Sequence, residues 1–151
     1  MKVEVISNGY IIYLNQFNLI DIDFKNMDIL EDSFKKLLKK LNNYYHIDIN
    51  GYYNINVYVD SYYGAILQIE KESLDYYDYF ESDTIAMRIK KIDADFLYEV
   101  EDFLFAKDFW NKFKLITKNN HIYLKIIDDL SYKEYLLLTE MSKIVYDKTL
   151  V

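Results

Sequence analysis

The stretch from Phe113 to Val145, FKLITKNNHIYLKIIDDLSYKEYLLLTEMSKIV, decides the fold. It predicts a strand, a two-residue turn at Asn119-Asn120, a second strand and then an amphipathic helix. The front of the chain repeats this order, because VEVISNGYIIYLN is followed by the helical pattern DILEDSFKKLLKKL. The sequence therefore predicts an α+β protein with antiparallel sheets and two main amphipathic helices, arranged as two hairpin-plus-helix units in tandem.

The first unit is predicted to span residues 1–72 as ββαββ. Asn8-Gly9 is its expected hairpin turn, because both residue types accept the positive φ angles of a type I′ turn. Asp28 is the expected N-cap of the first helix, with Glu31 completing a capping-box-like pair. The apolar face of this helix comprises Leu30, Phe34, Leu37, Leu38 and Leu41, and its basic face comprises Lys35, Lys36, Lys39 and Lys40. Such a basic face is either the solvated side of a helix or a contact for nucleic acid or lipid, and the absence of net basic charge favours the solvated side.

The second unit is predicted at 84–151, with 73–83 as a short acidic-aromatic connector; the alternative is that both units pack as one domain. After a strand at 84–92, residues 96–105 fit either a strand or the start of a helix. A short helix then carries Trp110, for which core packing is expected ahead of a role as an interface anchor. The last helix begins with a capping box of Ser131 and Glu134. Its expected buried face comprises Leu137, Leu138, Met141, Ile144 and Val145.

Composition limits the setting of the protein. The chain has 151 residues and no Cys, so disulfides and thiolate metal sites are excluded and a reducing compartment is favoured. The first residues lack the apolar core of a signal peptide, and no run reaches the ~20 apolar residues of a membrane span. We therefore expect a cytoplasmic protein without membrane contact.

Charge is concentrated in one segment. Residues 72–102 contain ten acids and three bases, a net of −7, which equals the formal charge of the whole protein. Such a segment is either a field that steers a basic partner or a solvated connector with acidic strand edges. The 17 tyrosines likewise fit either an AT-rich genome or a binding surface, since Tyr supplies contact area with few rotamers.

The usual catalytic patterns are missing. His46 and His121 lie far apart without metal-ligand spacing, and three glycines do not form a phosphate-binding loop. No Ser lies in a nucleophile elbow. We therefore expect no enzyme activity, no cofactor and no metal, and the acidic charge disfavours nucleic acid as a partner.

Several segments together resemble the MecA family of adaptor proteins from low-GC Gram-positive bacteria. They are the opening MKVEVISNGYIIYL, the E-x-x-F of Glu31–Phe34, the hairpin at Tyr63–Ile66, YEVEDF at Tyr98–Phe103, and LITKNNHIYLKI. The chain departs from that family in lacking a long acidic linker and a substantial helix after YEVEDF. The resemblance implies a non-enzymatic adaptor that holds a substrate protein through its N-terminal unit and a ClpC-type unfoldase through its C-terminal unit.

The sequence thus predicts a protein that works by protein–protein contact. The alternatives are an acidic inhibitor that imitates nucleic acid and binds the basic groove of a nucleic-acid enzyme, and an enzyme with two converging carboxylates. Homo-oligomers through an exposed edge strand are also compatible with the pattern. The candidate interaction surface comprises Tyr76, Tyr77, Asp78, Tyr79, Phe80 and Glu81, with Glu99, Glu101 and Asp102 beside them.

Overall fold

A computed structural model describes residues 2–16, 26–45, 51–72 and 85–147. This part of the chain has two α-helices, one 3-10 helix and nine strands, and the strands form two sheets. The predicted α+β class is therefore confirmed. The chain divides into two compact units. The first is Met1–Val57 with Ala65–Ile92, and the second is Tyr58–Gly64 with Asp93–Val151.

The first sheet has five strands in the order β1-β2-β4-β3-β5. Their bounds are β1 Lys2–Ile6, β2 Gly9–Asn15, β3 Gly51–Asp60, β4 Gly64–Lys71 and β5 Ile85–Asp93. β4 lies at the centre and buries Ile66 and Leu67 on its opposite faces. β5, which the sequence assigned to the C-terminal unit, is hydrogen-bonded to β3 in this sheet. The predicted connector at 73–83 and the ambiguous stretch at 17–24 lie outside the described residues.

The turn between β1 and β2 differs from the predicted one. The two turn residues are Ser7 and Asn8, and Gly9 already pairs with Ile6 as the first residue of β2. Positive φ angles in the described chain occur at other positions, so the predicted type I′ turn at Asn8-Gly9 is wrong. Gly9 is instead required by packing, because a Cβ atom there would overlap the backbone carbonyl oxygen of Ile69 in β4.

Helix α1, Met27–Tyr45, begins one residue before the predicted cap. The Oδ1 atom of Asn26 accepts hydrogen bonds from the backbone N–H groups of Asp28, at 3.0 Å, and Ile29, at 3.4 Å. Asn26 is therefore the N-cap, and the prediction of Asp28 was wrong because both residue types can cap and only the backbone geometry distinguishes them. The predicted apolar face is confirmed for Leu30, Phe34, Leu38 and Leu41, which are at most 1% exposed, whereas its fifth member, Leu37, is half-buried.

The second sheet has four strands in the order β7-β8-β6-β9, all antiparallel to their neighbours. The elements in chain order are β6 Leu97–Val100, a 3-10 helix Leu104–Lys112, β7 Phe113–Lys118, β8 His121–Ile126, α2 Tyr132–Met141 and β9 Lys143–Val145. The hairpin predicted within Phe113–Val145 is confirmed. Asn119 and Asn120 have φ angles of 51° and 65°, which are the positive values of a type I′ turn.

The N-terminus of α2 is as predicted, but its C-terminus is not. Ser131 Oγ accepts from the Glu134 N–H, and Glu134 Oε1 accepts from the Ser131 N–H, so the capping box is confirmed. The helix ends at Met141, which is 50% exposed. The predicted helical face beyond this point is wrong, because Ile144 and Val145 form β9 and pair with β6. Strand pairing thus overrides the apolar periodicity.

The turn between β3 and β4 belongs to the second unit, and a buried carboxylate bonds it to another part of that unit. Asp60 is 8% exposed. Its Oδ2 accepts from the N–H groups of Tyr62 and Tyr63, at 3.0 and 2.8 Å, and its Oδ1 accepts from the Phe96 N–H at 3.0 Å. These bonds satisfy the buried charge and fix the turn to the residue that precedes β6.

Candidate functional site

Three of the nine predicted interaction residues fall within the described chain. Residues 76–81 lie outside it. Glu99 is half-buried on β6, where its Oε1 lies 2.7 Å from His121 Nδ1. Glu101 and Asp102 follow β6 and are exposed. The structure therefore separates Glu99, which is held by a neighbour in the sheet, from the two carboxylates that face solvent.

Exposed apolar side chains follow these carboxylates directly. Phe103, Leu104 and Trp110 are 38%, 77% and 39% exposed. The Phe103 and Trp110 rings lie 4.8 Å apart between centroids and are tilted by 31°. The expectation that Trp110 packs in the core is therefore wrong. We refer to Glu101, Asp102, Phe103, Leu104 and Trp110 as the Trp110 surface.

The 3-10 helix leaves Trp110 exposed because other side chains of the same segment are buried. Ala106 and Phe109 point inward and are 0% and 4% exposed. The Phe109 ring lies 5.6 Å from Phe113 and 6.4 Å from Phe105, between centroids. Phe109 also has a non-helical φ of −132°, so the segment is kinked directly before Trp110. This aromatic base gives the Trp110 surface a fixed support.

The start of the segment is fixed by its own polar groups. Asp102 Oδ1 accepts from the Leu104 N–H at 3.1 Å, and the Phe103 carbonyl accepts from the Ala106 N–H at 3.0 Å. The exposed carboxylate of Asp102 thus accepts from the first N–H group of the segment. Two exposed carboxylates directly precede the exposed, tilted ring pair in the chain, and this combination suits an apolar group that lies beside a cation.

A signal for this surface was present in the sequence. Phe105, Phe109 and Phe113 are spaced four residues apart and occupy one side of a helical pattern, whereas Phe103 and Trp110 are seven apart and occupy another. All five aromatic residues cannot face one core. The pattern therefore indicated that one of the two groups is exposed.

A second group of aromatic residues in this unit is buried. The Tyr63 ring lies 5.3 Å from Phe96 and 5.9 Å from Tyr135, between centroids. Burial raises the pKa of Tyr63 to about 12, and it raises the pKa values of Tyr98 and Tyr135 well above the ordinary value of 10.0. The Tyr98 hydroxyl is buried and has no hydrogen-bond partner within the described residues. These phenols stay protonated at neutral pH, so the cluster stabilises the unit and offers no general base.

Two other kinds of site are absent from the described part of the chain. Within the four described ranges, no group of three or more His, Asp or Glu side chains is arranged to hold a metal ion. The described helices are too short or too polar to cross a membrane. No protein-family model, no curated protein and no solved structure matches the chain.

Proposed function

We propose that this protein acts by protein–protein interaction and not as an enzyme. It binds a partner polypeptide through the Trp110 surface. The observation that carries the proposal is the exposed ring pair of Phe103 and Trp110, followed in the chain after Phe103 by Leu104 at 77% exposure. Large aromatic side chains held rigid at a surface have little rotamer entropy to lose on binding, and they anchor many interfaces.

The proposed partner presents an apolar side chain next to Lys or Arg. The apolar side chain would contact Leu104 and the ring pair, and the cation would lie over the Trp110 ring or near Glu101 and Asp102. The net charge of −7 in residues 72–102 supports this choice, because it would speed the approach of a basic partner.

A finer form of the proposal is a cytoplasmic adaptor of the MecA type. The Trp110 surface begins within Tyr98–Phe103, one of the segments that carry the resemblance to that family. On this proposal the partner of the second unit is a ClpC-type unfoldase. A binding measurement with a purified ClpC-type unfoldase tests the adaptor proposal separately. If the unfoldase does not bind, the general proposal still allows other partners.

The test compares affinity capture by four versions of the protein from a low-GC Gram-positive lysate, with captured proteins identified by mass spectrometry. The versions are wild type, Trp110→Ala, the double variant Glu101→Lys/Asp102→Lys, and Tyr132→Ala. Tyr132 is the matched control, because it is an aromatic residue on α2 with 56% exposure. We expect a partner protein that wild type and Tyr132→Ala retain and that both other variants lose.

Direct binding is then measured by intrinsic fluorescence, because Trp110 is the only tryptophan. Adding the purified partner should shift the Trp110 emission to shorter wavelength as the ring leaves water. Because Trp110→Ala has no tryptophan, its affinity and that of wild type are compared by isothermal titration calorimetry, and the variant should bind at least about tenfold more weakly, which is the usual scale of an anchor residue. If every captured protein remains bound to Trp110→Ala, or if the emission of wild type does not change, the Trp110 surface is not the binding surface.

A further inference from the structure

The ladder between β7 and β8 determines which backbone groups of β7 point away from β8. The Ile127 N–H donates to the Lys112 carbonyl at 2.8 Å, and this pair continues the register of the two strands. In an antiparallel ladder, residues bonded to the neighbouring strand alternate with residues whose N–H and C=O groups point to the other side. The residues of β7 whose groups point away from β8 are therefore Phe113, Leu115 and Thr117.

These groups form an edge of the second sheet, since β8 is the one neighbour of β7 among the described strands. The Phe113 N–H is already used, because it donates to the Trp110 carbonyl. Beyond it the edge presents the Phe113 carbonyl and then both backbone groups of Leu115 and of Thr117, over roughly 14 Å. Such a row of donors and acceptors is what an extended peptide can pair with.

The bond at Phe113 also places the Trp110 surface at one end of this edge. Because the Phe113 N–H points away from β8, the Trp110 carbonyl that accepts it lies on that same side of β7. A strand added to β7 would therefore run along Thr117 and Leu115 and reach the backbone of Trp110 where the ladder stops. One extended polypeptide can contact both the edge and the Trp110 surface.

The side chains along the edge fit an apolar segment. Leu115 is 41% exposed, although Leu124, which lies directly opposite it on β8, is fully buried. Thr117 is also exposed and projects from the same face as Leu115, since the two are two residues apart on a strand. An apolar residue on an added strand would cover Leu115, so we expect apolar side chains at alternate positions of that strand.

We propose that the partner polypeptide of the Trp110 surface binds β7 as an added antiparallel strand. Its apolar residues i and i+2 lie opposite Thr117 and Leu115, and the apolar residue and cation that follow them meet the Trp110 surface. The antiparallel direction matches the rest of this sheet, and antiparallel pairs are slightly more stable than parallel ones. This inference rests on the proposed function, and it adds the conformation and the residue pattern of the bound segment.

The test measures fluorescence anisotropy of a short labelled peptide in which two valines, at i and i+2, alternate with threonines and are followed by leucine and lysine at i+4 and i+5. Two further forms each carry one N-methyl group. The first is methylated on the valine at i+2, whose N–H would donate to the Leu115 carbonyl. The second, the matched control, is methylated on the threonine at i+1, whose N–H would point away from β7. Wild type should bind the control form like the unmodified peptide and the methyl-valine form at least roughly tenfold more weakly.

Thr117→Pro makes the corresponding change in the protein. Proline removes an N–H that points away from β8, so the ladder to β8 is retained. Its control is Thr117→Ala, which shortens the same side chain and keeps the N–H. Thr117→Pro should bind the unmodified peptide roughly fivefold more weakly, whereas Thr117→Ala should stay within about twofold of wild type. If Thr117→Pro does not fold, the two methylated peptides carry the test on wild type.

Trp110→Ala separates this inference from the proposed function. If that variant binds the peptide weakly while both methylated forms bind wild type equally, the Trp110 surface stands and the added strand does not. If wild type binds none of the peptides, or if Trp110→Ala binds them like wild type, this inference is overturned, while affinity capture still tests the Trp110 surface. A dimer of wild type that Thr117→Pro abolishes, measured by light scattering without peptide, would assign the edge to a second copy and also overturn it.

Discussion

The two hairpins that precede the two main helices look alike in sequence, but different interactions determine their turns. Both turn over two residues, at Ser7-Asn8 and at Asn119-Asn120. The second turn is local, because both asparagines take positive φ angles that their side chains tolerate. The first depends on packing, because Gly9 allows β2 to approach the backbone of Ile69. Two similar turn sequences can therefore have different structural causes. In one hairpin the cause is the local backbone conformation, and in the other it is a contact between residues distant in sequence.

Gly9→Ala is the most severe way to test this contrast. Its new methyl group would overlap the Ile69 carbonyl, so β2 or β4 must move. We expect the free energy of unfolding to fall by about 3 kcal/mol or more, since backbone cannot rotate away as a side chain can. Urea unfolding followed by circular dichroism measures it. A loss below about 1 kcal/mol, close to the ordinary cost of a surface change, would show that β2 does not approach β4 so closely.

Asn120→Val tests the other hairpin. A β-branched residue is strained at a φ of 65°, so this substitution should cost about 1–2 kcal/mol. Asn8→Val is the matched control in the first turn, where φ is not positive, and it should stay within about 0.5 kcal/mol. The same unfolding experiment measures both. Equal costs for the two valines would remove the distinction between the turns.

The helices that follow the hairpins differ in their caps, and the effects are smaller. Ser131→Ala in α2 and Asn26→Ala in α1 should each cost about 1 kcal/mol, because each removes an acceptor for a backbone N–H at a helix start. Asp28→Ala removes no cap and should cost less than about 0.5 kcal/mol. Thermal unfolding of the three variants separates these values. If Asp28→Ala is as costly as Asn26→Ala, Asp28 is the cap after all.

Local signals account for the parts of the fold that were predicted. Three features depend only on residues a few positions apart and could therefore be predicted from local sequence. They are the turn at Asn119-Asn120, the capping box of Ser131 with Glu134, and the buried face of α1. The end of α2 does not have a local cause. Ile144 continues the apolar spacing of the helix, but pairing with Tyr98 in β6 places it in a strand.

The candidate site was only partly predictable for the same reason. Glu101 and Asp102 were identified from charge alone, which does not require knowing what they lie against. Trp110 was expected in the core because a lone tryptophan usually packs there, and its exposure follows from the burial of Phe109 and Ala106 in its place. The role of Asp60 was also hidden, since its hydrogen bond to Phe96 joins residues 36 positions apart.

The smallest predicted effect concerns acid stability, and it distinguishes the start of α2 from an ordinary helix start. The hydrogen bond from Lys112 Nζ to Glu134 Oε1, at 2.7 Å, lowers the pKa of Glu134 below its ordinary value of 4.5, with help from the bonds to Ser131. A carboxyl whose pKa is lowered by folding stabilises the folded state above its unfolded pKa. That contribution begins to decline as the pH falls below about 4.5, and it is lost as the pH falls through the lower pKa of the folded state.

Glu134→Gln should therefore be less stable than wild type at neutral pH and closer to it in acid, where both side chains are uncharged. Urea unfolding at a series of pH values down to the acid limit of folding measures the difference between the two proteins. Glu140→Gln, at an exposed position near the other end of α2, is the control and should follow wild type throughout. A difference that stays constant with pH would mean that Glu134 acts through its hydrogen bonds alone, and that its charge adds nothing to the contact with Lys112.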